Sequence, residues 1–209
     1  MVKININIKK LLKKFLPKFL DAISSDYSIG SEFTIKDAKS QGKKTNMKAL
    51  NLSKQDEKRN IIIIEELVKG VDKDLSKKIN YLTNKSVDER WSNEMLADEL
   101  KGVFDKDSPN YFNYKNRFKT IARTETTRIM SVSANNTATR LGANKKYLFM
   151  TDDNRTSDVS RELNKKYGKE EQAITLDKPF EITVNNKNYS SLLTPIHIND
   201  RDIVLYLFE

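Results

Sequence analysis

The apolar residues change period part-way along the chain, and this change narrows most what it can fold into. Before Gly142 they recur every three or four positions, as in Ile61, Ile64, Leu67, Val68, Val71, Leu75, Ile79 and Leu82, which is the spacing of a helical stripe. After it they alternate, as in Phe180, Ile182 and Val184, the spacing of a half-buried strand. Helices first and strands later predict an α+β fold: a largely helical N-terminal and central region followed by a small mixed α/β C-terminal domain.

The chain divides into four stretches on this reading. Residues 1–20 predict a basic amphipathic helix, with Ile4, Ile8, Leu11, Leu12, Phe15, Leu16, Phe19 and Leu20 on one face and lysines on the other. Pro17, which has no backbone donor, should bend or end that helix near Leu16. Residues 21–59 read as a flexible or extended arm, because Ser24, Ser25, Ser28, Gly30 and Ser31, and then the Ser40–Asn46 tract, have linker composition. Residues 60–109 read as helical, with Gly70 as a weak point. Residues 110–209 hold a further helix stopped by Gly142, a strand at Tyr147–Met150, a helix at Asp158–Tyr167, and two later strands. A turn at Asn185–Asn188 and a last strand at Ile203–Phe208 complete that region.

Composition excludes several classes of chemistry. The chain has no Cys and one His, His197, so disulfides, thiolate metal sites, a Cys nucleophile and a multi-histidine metal centre are absent. No metal and no cofactor is expected. No run approaches the roughly 18–20 apolar residues of a bilayer span, and Lys9, Lys10, Lys13 and Lys14 interrupt the opening segment as they would not in a secretory signal. The net charge of +9 is concentrated in two zones, residues 1–60 and 105–146. Lys9, Lys13, Lys43, Lys44, Lys115 and Arg117 are therefore candidate nucleic-acid contacts, the last two interleaved with Tyr111, Phe112 and Tyr114.

Three short segments stand out in order. They read Ala122-Arg123-Thr124-Glu125, then Asp153-Asn154-Arg155-Thr156-Ser157-Asp158-Val159-Ser160, then Pro195-Ile196-His197-Ile198-Asn199-Asp200-Arg201-Asp202. Together they resemble the phage head morphogenesis family, also called MuF-like minor head proteins, over roughly residues 110–209. The family pattern is A-R-T-E, then D-x-R-T-C-x-x-C, then P-x-H-P-N-C-R-C. Here Ser157 and Ser160 stand at the first two Cys positions, and Asp200 and Asp202 at the last two. Any thiolate metal site or covalent clip of relatives is lost, and packing and hydrogen bonds must hold the domain, with Asp200 or Asp202 facing Arg155 or Arg201.

The resemblance implies a minor capsid protein at the portal vertex of a virion, supporting head assembly and DNA packaging or delivery. Its implied partners are the portal protein, the major capsid or scaffold protein, and packaged double-stranded DNA. The implied location is inside the head, and the host cytoplasm during assembly. Arg123, Thr124, Glu125, Asp153, Arg155, Thr156, His197, Asn199 and Arg201 would then be structural motif residues, with no catalytic role. The alternative is a DNA-binding accessory protein of the virion. A Ser-His-Asp hydrolase built on His197 and Ser157 or Ser160 lacks a G-x-S-x-G elbow and is the least supported reading.

Overall fold

The computed structural model describes residues 8–89, 93–103, 105, 107–109, 113–198 and 200–208. Four helices come first: α1 Ile8–Ser40, α2 Lys54–Asp88, α3 Asn93–Gly102 and α4 Tyr114–Arg140. They are followed by β1 Lys145–Phe149, α5 Asp158–Tyr167, β2 Ile174–Thr175, β3 Phe180–Val184, β4 Lys187–Ser191 and β5 Ile203–Leu207. A single 3₁₀ turn, Glu170–Gln172, links α5 to β2. The fold class is α+β. The chain forms two compact units, one of Met1–Glu57 with Ala122–Glu209 and the other of Lys58–Ile121.

Two expectations fail in the first unit. Pro17 does not end the first helix, which continues unbroken to Ser40. Residues 21–40 are thus not an arm, although those that follow, up to Ser53, form no regular element. Ser24 and Ser25 are exposed on the helix, while Gly30 and Ser31 are small residues at a close helix crossing. Ile23, Tyr27, Ile35 and Ala38 of α1 are buried, and so are Ser31 and Thr34 beside them. A Cβ on Gly30 would fall on the Met130 carbonyl oxygen and 2.9 Å from Met130 Cα, so the α1 and α4 backbones nearly touch there.

Hydroxyls stitch the same crossing. Thr137 Oγ1 donates to Ser31 Oγ at 2.8 Å, Ser31 Oγ accepts from the Leu50 amide at 2.8 Å, and Thr34 Oγ1 donates to the Gly30 carbonyl at 3.0 Å. Ser133 Oγ donates to the Tyr27 carbonyl, and Asn136 Nδ2 to Tyr27 Oη at 2.9 Å. Short side chains allow this approach and satisfy the polar groups it buries.

The C-terminal elements follow the predicted alternation. β1 is central in a three-stranded antiparallel sheet of order β2-β1-β5, and β3 and β4 form a separate hairpin. Asn185 and Asn186 turn that hairpin with φ of 50° and 59°, the left-handed pair that a two-residue turn requires. Leu148, Val204 and Tyr206 of the sheet meet Val159, Leu163 and Tyr167 of α5, Phe180 of β3, and Ala134 and Ala138 of α4 in one core. The Tyr167 and Phe180 rings pack edge to face with centroids 5.2 Å apart.

The end of α1 also closes this unit. Gln41 Nε2 donates to the Tyr206 carbonyl at 2.8 Å, and the Phe208 amide donates to Gln41 Oε1 at 3.3 Å. The carboxamide thereby pairs with β5 as a neighbouring strand would.

In the second unit α2 runs without a break through Gly70, so the expected weak point leaves the helix intact. Leu75, Leu82 and Val103 are buried there.

Candidate functional site

A hydrogen-bonded knot joins the β1–α5 turn, the start of α5 and the segment before β5. It begins with Thr156, whose Oγ1 accepts the Asp153 amide at 2.8 Å and donates to the Thr151 carbonyl at 2.7 Å. Asp153 Oδ1 accepts the Arg155 amide at 2.8 Å, which closes a local turn. That carboxylate then faces Arg201, which donates from Nη1 at 2.8 Å and from Nη2 at 2.7 Å. Arg201, then Arg155, holds the Asp153 carboxyl well below the usual carboxylate range.

Ser157 caps α5. Its Oγ accepts the Ser160 amide at 3.0 Å, satisfying one of the unpaired donors of the first turn. The same oxygen lies 2.9 Å from His197 Nε2 and 3.2 Å from Ser160 Oγ, and Ser160 Oγ lies 3.2 Å from Nε2. His197 Nδ1 sits 2.9 Å from the Ile198 carbonyl, which can only accept, so Nδ1 carries a hydrogen.

The two aspartates complete the knot. Asp200 Oδ2 accepts the Ile196 amide at 2.6 Å and its Oδ1 accepts the Asp202 amide at 2.9 Å. Asp202, 3% exposed, lies beside Asp200 and lines one cleft with Ser157, Ser160 and His197. Burial, then the charge of Asp200, pushes its carboxyl up to about 6.

Of the four positions that carry Cys in the family pattern, Ser157, Ser160 and Asp202 line one cleft with His197, and Asp200 adjoins Asp202. Two hydroxyls and two carboxyls take their place, joined by hydrogen bonds. The expected pairing of Asp200 or Asp202 with Arg155 or Arg201 is not the one formed, because Asp153 takes the Arg201 fork and both Asp200 oxygens are occupied by backbone amides.

The A-R-T-E segment stands one turn away from the knot. Arg123 is exposed, Thr124 is half-buried, and buried Glu125 pairs with Arg128 Nε at 2.7 Å. The contacts to the knot come from the next residues of α4. Thr127 Oγ1 lies between two carbonyl acceptors, Arg123 at 3.2 Å and Asp200 at 3.3 Å, and Ser131 Oγ and Thr194 Oγ1 lie 2.5 Å apart. Ser131 and Thr194 carry no local signal in the sequence, since isolated hydroxyl residues resemble any others.

Asn199 lies outside the described residues, as do the side chains of Lys9, Lys13, Lys115 and Arg117. Lys43 donates its amide to the Ala38 carbonyl at 3.0 Å and Lys44 is exposed. Nothing in the described residues gathers these lysines into one surface.

A further charged residue was missed. Lys146 is fully buried, with Nζ 2.7 Å from the carbonyls of both Leu176 and Leu192 and 5.1 Å from the Phe180 ring centroid. Burial pushes its amine down to about 8. It fastens β1 to the loops that flank the β3–β4 hairpin.

A cleft lined by Thr151, Arg155, Ser157, Ser160, His197 and Asp202 opens on the knot. Ser157 Oγ and His197 Nε2 have the separation of a nucleophile and base, but the same oxygen is committed to capping α5. Among the described residues no group of three or more His, Cys, Asp or Glu is arranged to hold a metal ion, and no helix is long and apolar enough to cross a membrane. Compared with family models, with curated proteins and with solved structures, the chain matches none.

Proposed function

We propose that this chain is a minor capsid protein of the head morphogenesis type, placed at the portal vertex of a tailed-phage or phage-like particle. Its role is assembly and interaction, with no catalytic step. One observation carries the reading: two of the three motif segments, far apart in sequence, form a single knot, and α4 touches it one turn beyond the third. A scattered resemblance would have no reason to converge in this way, whereas a domain built on the family pattern would require it. The replaced Cys positions support it further, because they lie side by side as members of one quartet would.

On this reading the partners are the portal protein, the major capsid or scaffold protein, and the packaged double-stranded DNA. The protein would act in the host cytoplasm during assembly and then within the virion. The test is a reconstruction of the particle around the portal vertex without imposed high symmetry. Density for this chain against portal subunits is the expected result. Heads that lack the chain, or a chain spread along the packaged DNA away from the vertex, would overturn the reading, the latter in favour of a DNA-binding accessory protein.

A further inference from the structure

Side chains close two of the strand edges in the C-terminal region. At β5 the Gln41 carboxamide takes the Tyr206 carbonyl and the Phe208 amide. At β3 Tyr167 Oη donates to the Glu181 carbonyl at 3.2 Å and accepts the Glu181 amide at 3.1 Å, and Lys166 Nζ donates to the same carbonyl at 3.0 Å. Backbone groups occupied in this way are no longer a template for another strand.

The edge of β4 has no such plug. Across the left-handed turn at Asn185 and Asn186, Lys187 pairs with Val184, Tyr189 with Ile182 and Ser191 with Phe180, and these are the pairs that exchange backbone hydrogen bonds. Asn188 and Ser190 therefore turn their amides and carbonyls away from β3, as Glu181 turns its own towards Tyr167 on the opposite edge. Both residues are exposed, and their side chains bond only within the hairpin among the described residues, Asn188 Oδ1 to Thr183 Oγ1 and Ser190 Oγ to Glu181 Oε1. β4 contains no Pro, and its one charge is Lys187 beside the turn, whose ammonium lies 5.0 Å over the Tyr189 ring.

We propose that β4 is the pairing edge for a second copy of this chain, with the two β4 strands antiparallel about a two-fold axis at Tyr189 and the hairpins joined into one sheet of order β3-β4-β4-β3. On this axis Asn188 meets the partner's Ser190 and exchanges both N–H···O bonds with it, and the symmetry repeats the exchange. Tyr189, half-buried against the core, meets the partner's Tyr189 as a non-hydrogen-bonded pair, the arrangement in which side chains lie closer. Lys187 meets the partner's Ser191, so no like charges oppose, whereas an axis at Lys187 would set two ammonium groups face to face. So short an edge makes a weak, transient interface. The pairing rests on the hairpin's geometry and is independent of what the protein assembles with.

The test uses the full chain. Sedimentation velocity from about 10 µM to about 1 mM, the range suited to a small interface, should show monomer passing to dimer. Ser190→Pro removes an amide that points away from β3, so it should keep the native circular dichroism and remain monomeric at about 1 mM. In the native chain, hydrogen exchange at the Asn188 and Ser190 amides should slow by about tenfold between the dilute and concentrated samples. A native chain that stays monomeric at about 1 mM would overturn the proposal. So would a dimer that Ser190→Pro leaves intact, or one in which the two amides exchange as they do in the monomer. Amides protected only in an assembled particle would also overturn it, in favour of a strand from a different protein. If Ser190→Pro does not fold, sedimentation and exchange of the native chain decide the matter.

Discussion

Arg201 and Asp153, 48 residues apart in sequence, meet fork to fork, with both terminal nitrogens of the guanidinium on both carboxylate oxygens at 2.8 and 2.7 Å. This pair orients the whole knot, because the Asp153 turn leads directly into the capping Ser157 and Arg201 lies between the two buried aspartates. Lysine cannot supply two parallel donors, so Arg201→Lys should lower the thermal midpoint nearly as much as Arg201→Ala does. Asp153→Asn should lower it at neutral pH. Because the folded Asp153 carboxyl is depressed, its contribution is present above about pH 4 and fades as acid titrates it, so mutant and native melting curves should converge in strong acid. Thermal unfolding monitored at several pH values checks both.

Gly30 and Gly70 should respond oppositely to the same change. At Gly30 a methyl group meets Met130 backbone, which cannot swing aside, so Gly30→Ala should destabilise the chain by about 1–3 kcal/mol through a forced separation of α1 and α4. At Gly70 nothing lies within 4 Å, and alanine is the better helix former by about 1 kcal/mol. Gly70→Ala should therefore stabilise α2. Urea unfolding of the two variants decides it, and a stabilising Gly30→Ala would show that the helices are not in backbone contact.

Lys146 links stability to alkaline pH. Its folded pKa lies near 8 against 10.5 for the free side chain, so between those values the unfolded chain holds a proton that the folded chain has released. Stability from this group should thus rise as the pH climbs from 8 towards 10, by up to about 3 kcal/mol. The neutral amine retains two hydrogens, enough for the carbonyls of Leu176 and Leu192. Lys146→Met should abolish the rise and leave both carbonyls without a donor, at about 1–3 kcal/mol each. Denaturant titrations at pH 7.5 and 9.5 measure the difference.

Returning thiols to the knot tests the spatial logic of the motif. Ser157→Cys, Ser160→Cys, Asp200→Cys and Asp202→Cys in one chain should create a four-thiolate zinc site, since Ser157, Ser160 and Asp202 line one cleft and Asp200 adjoins Asp202. Metal analysis under reducing conditions should find about one zinc per chain in the variant and none in the native protein. A folded variant that takes up no zinc would mean that the four positions do not share one centre.

Much of the architecture is written in local pattern. Phe180, Ile182 and Val184 alternate and form β3, the Asn185-Asn186 pair turns the hairpin, and Ser157 caps a helix that ends at Tyr167. Each of these depends on neighbours within a few residues, which is why spacing alone reveals them. Even the order of the three motif segments could be read directly, as a resemblance. What spacing could not reveal were the contacts made between distant residues. Ser31 and Gly30 have the composition of a linker, yet they are helical because α4 offers them a close-packed seam and matching hydroxyls. Lys146 looks like any surface lysine until β1 turns it into the core, and Asp153 takes the arginine that local reading assigned to Asp200 or Asp202. Propensity and period are properties of a segment, whereas desolvation and hydrogen-bond pairing belong to the surroundings that the rest of the chain supplies, and here those surroundings decided both the helix over residues 21–40 and the chemistry of the knot.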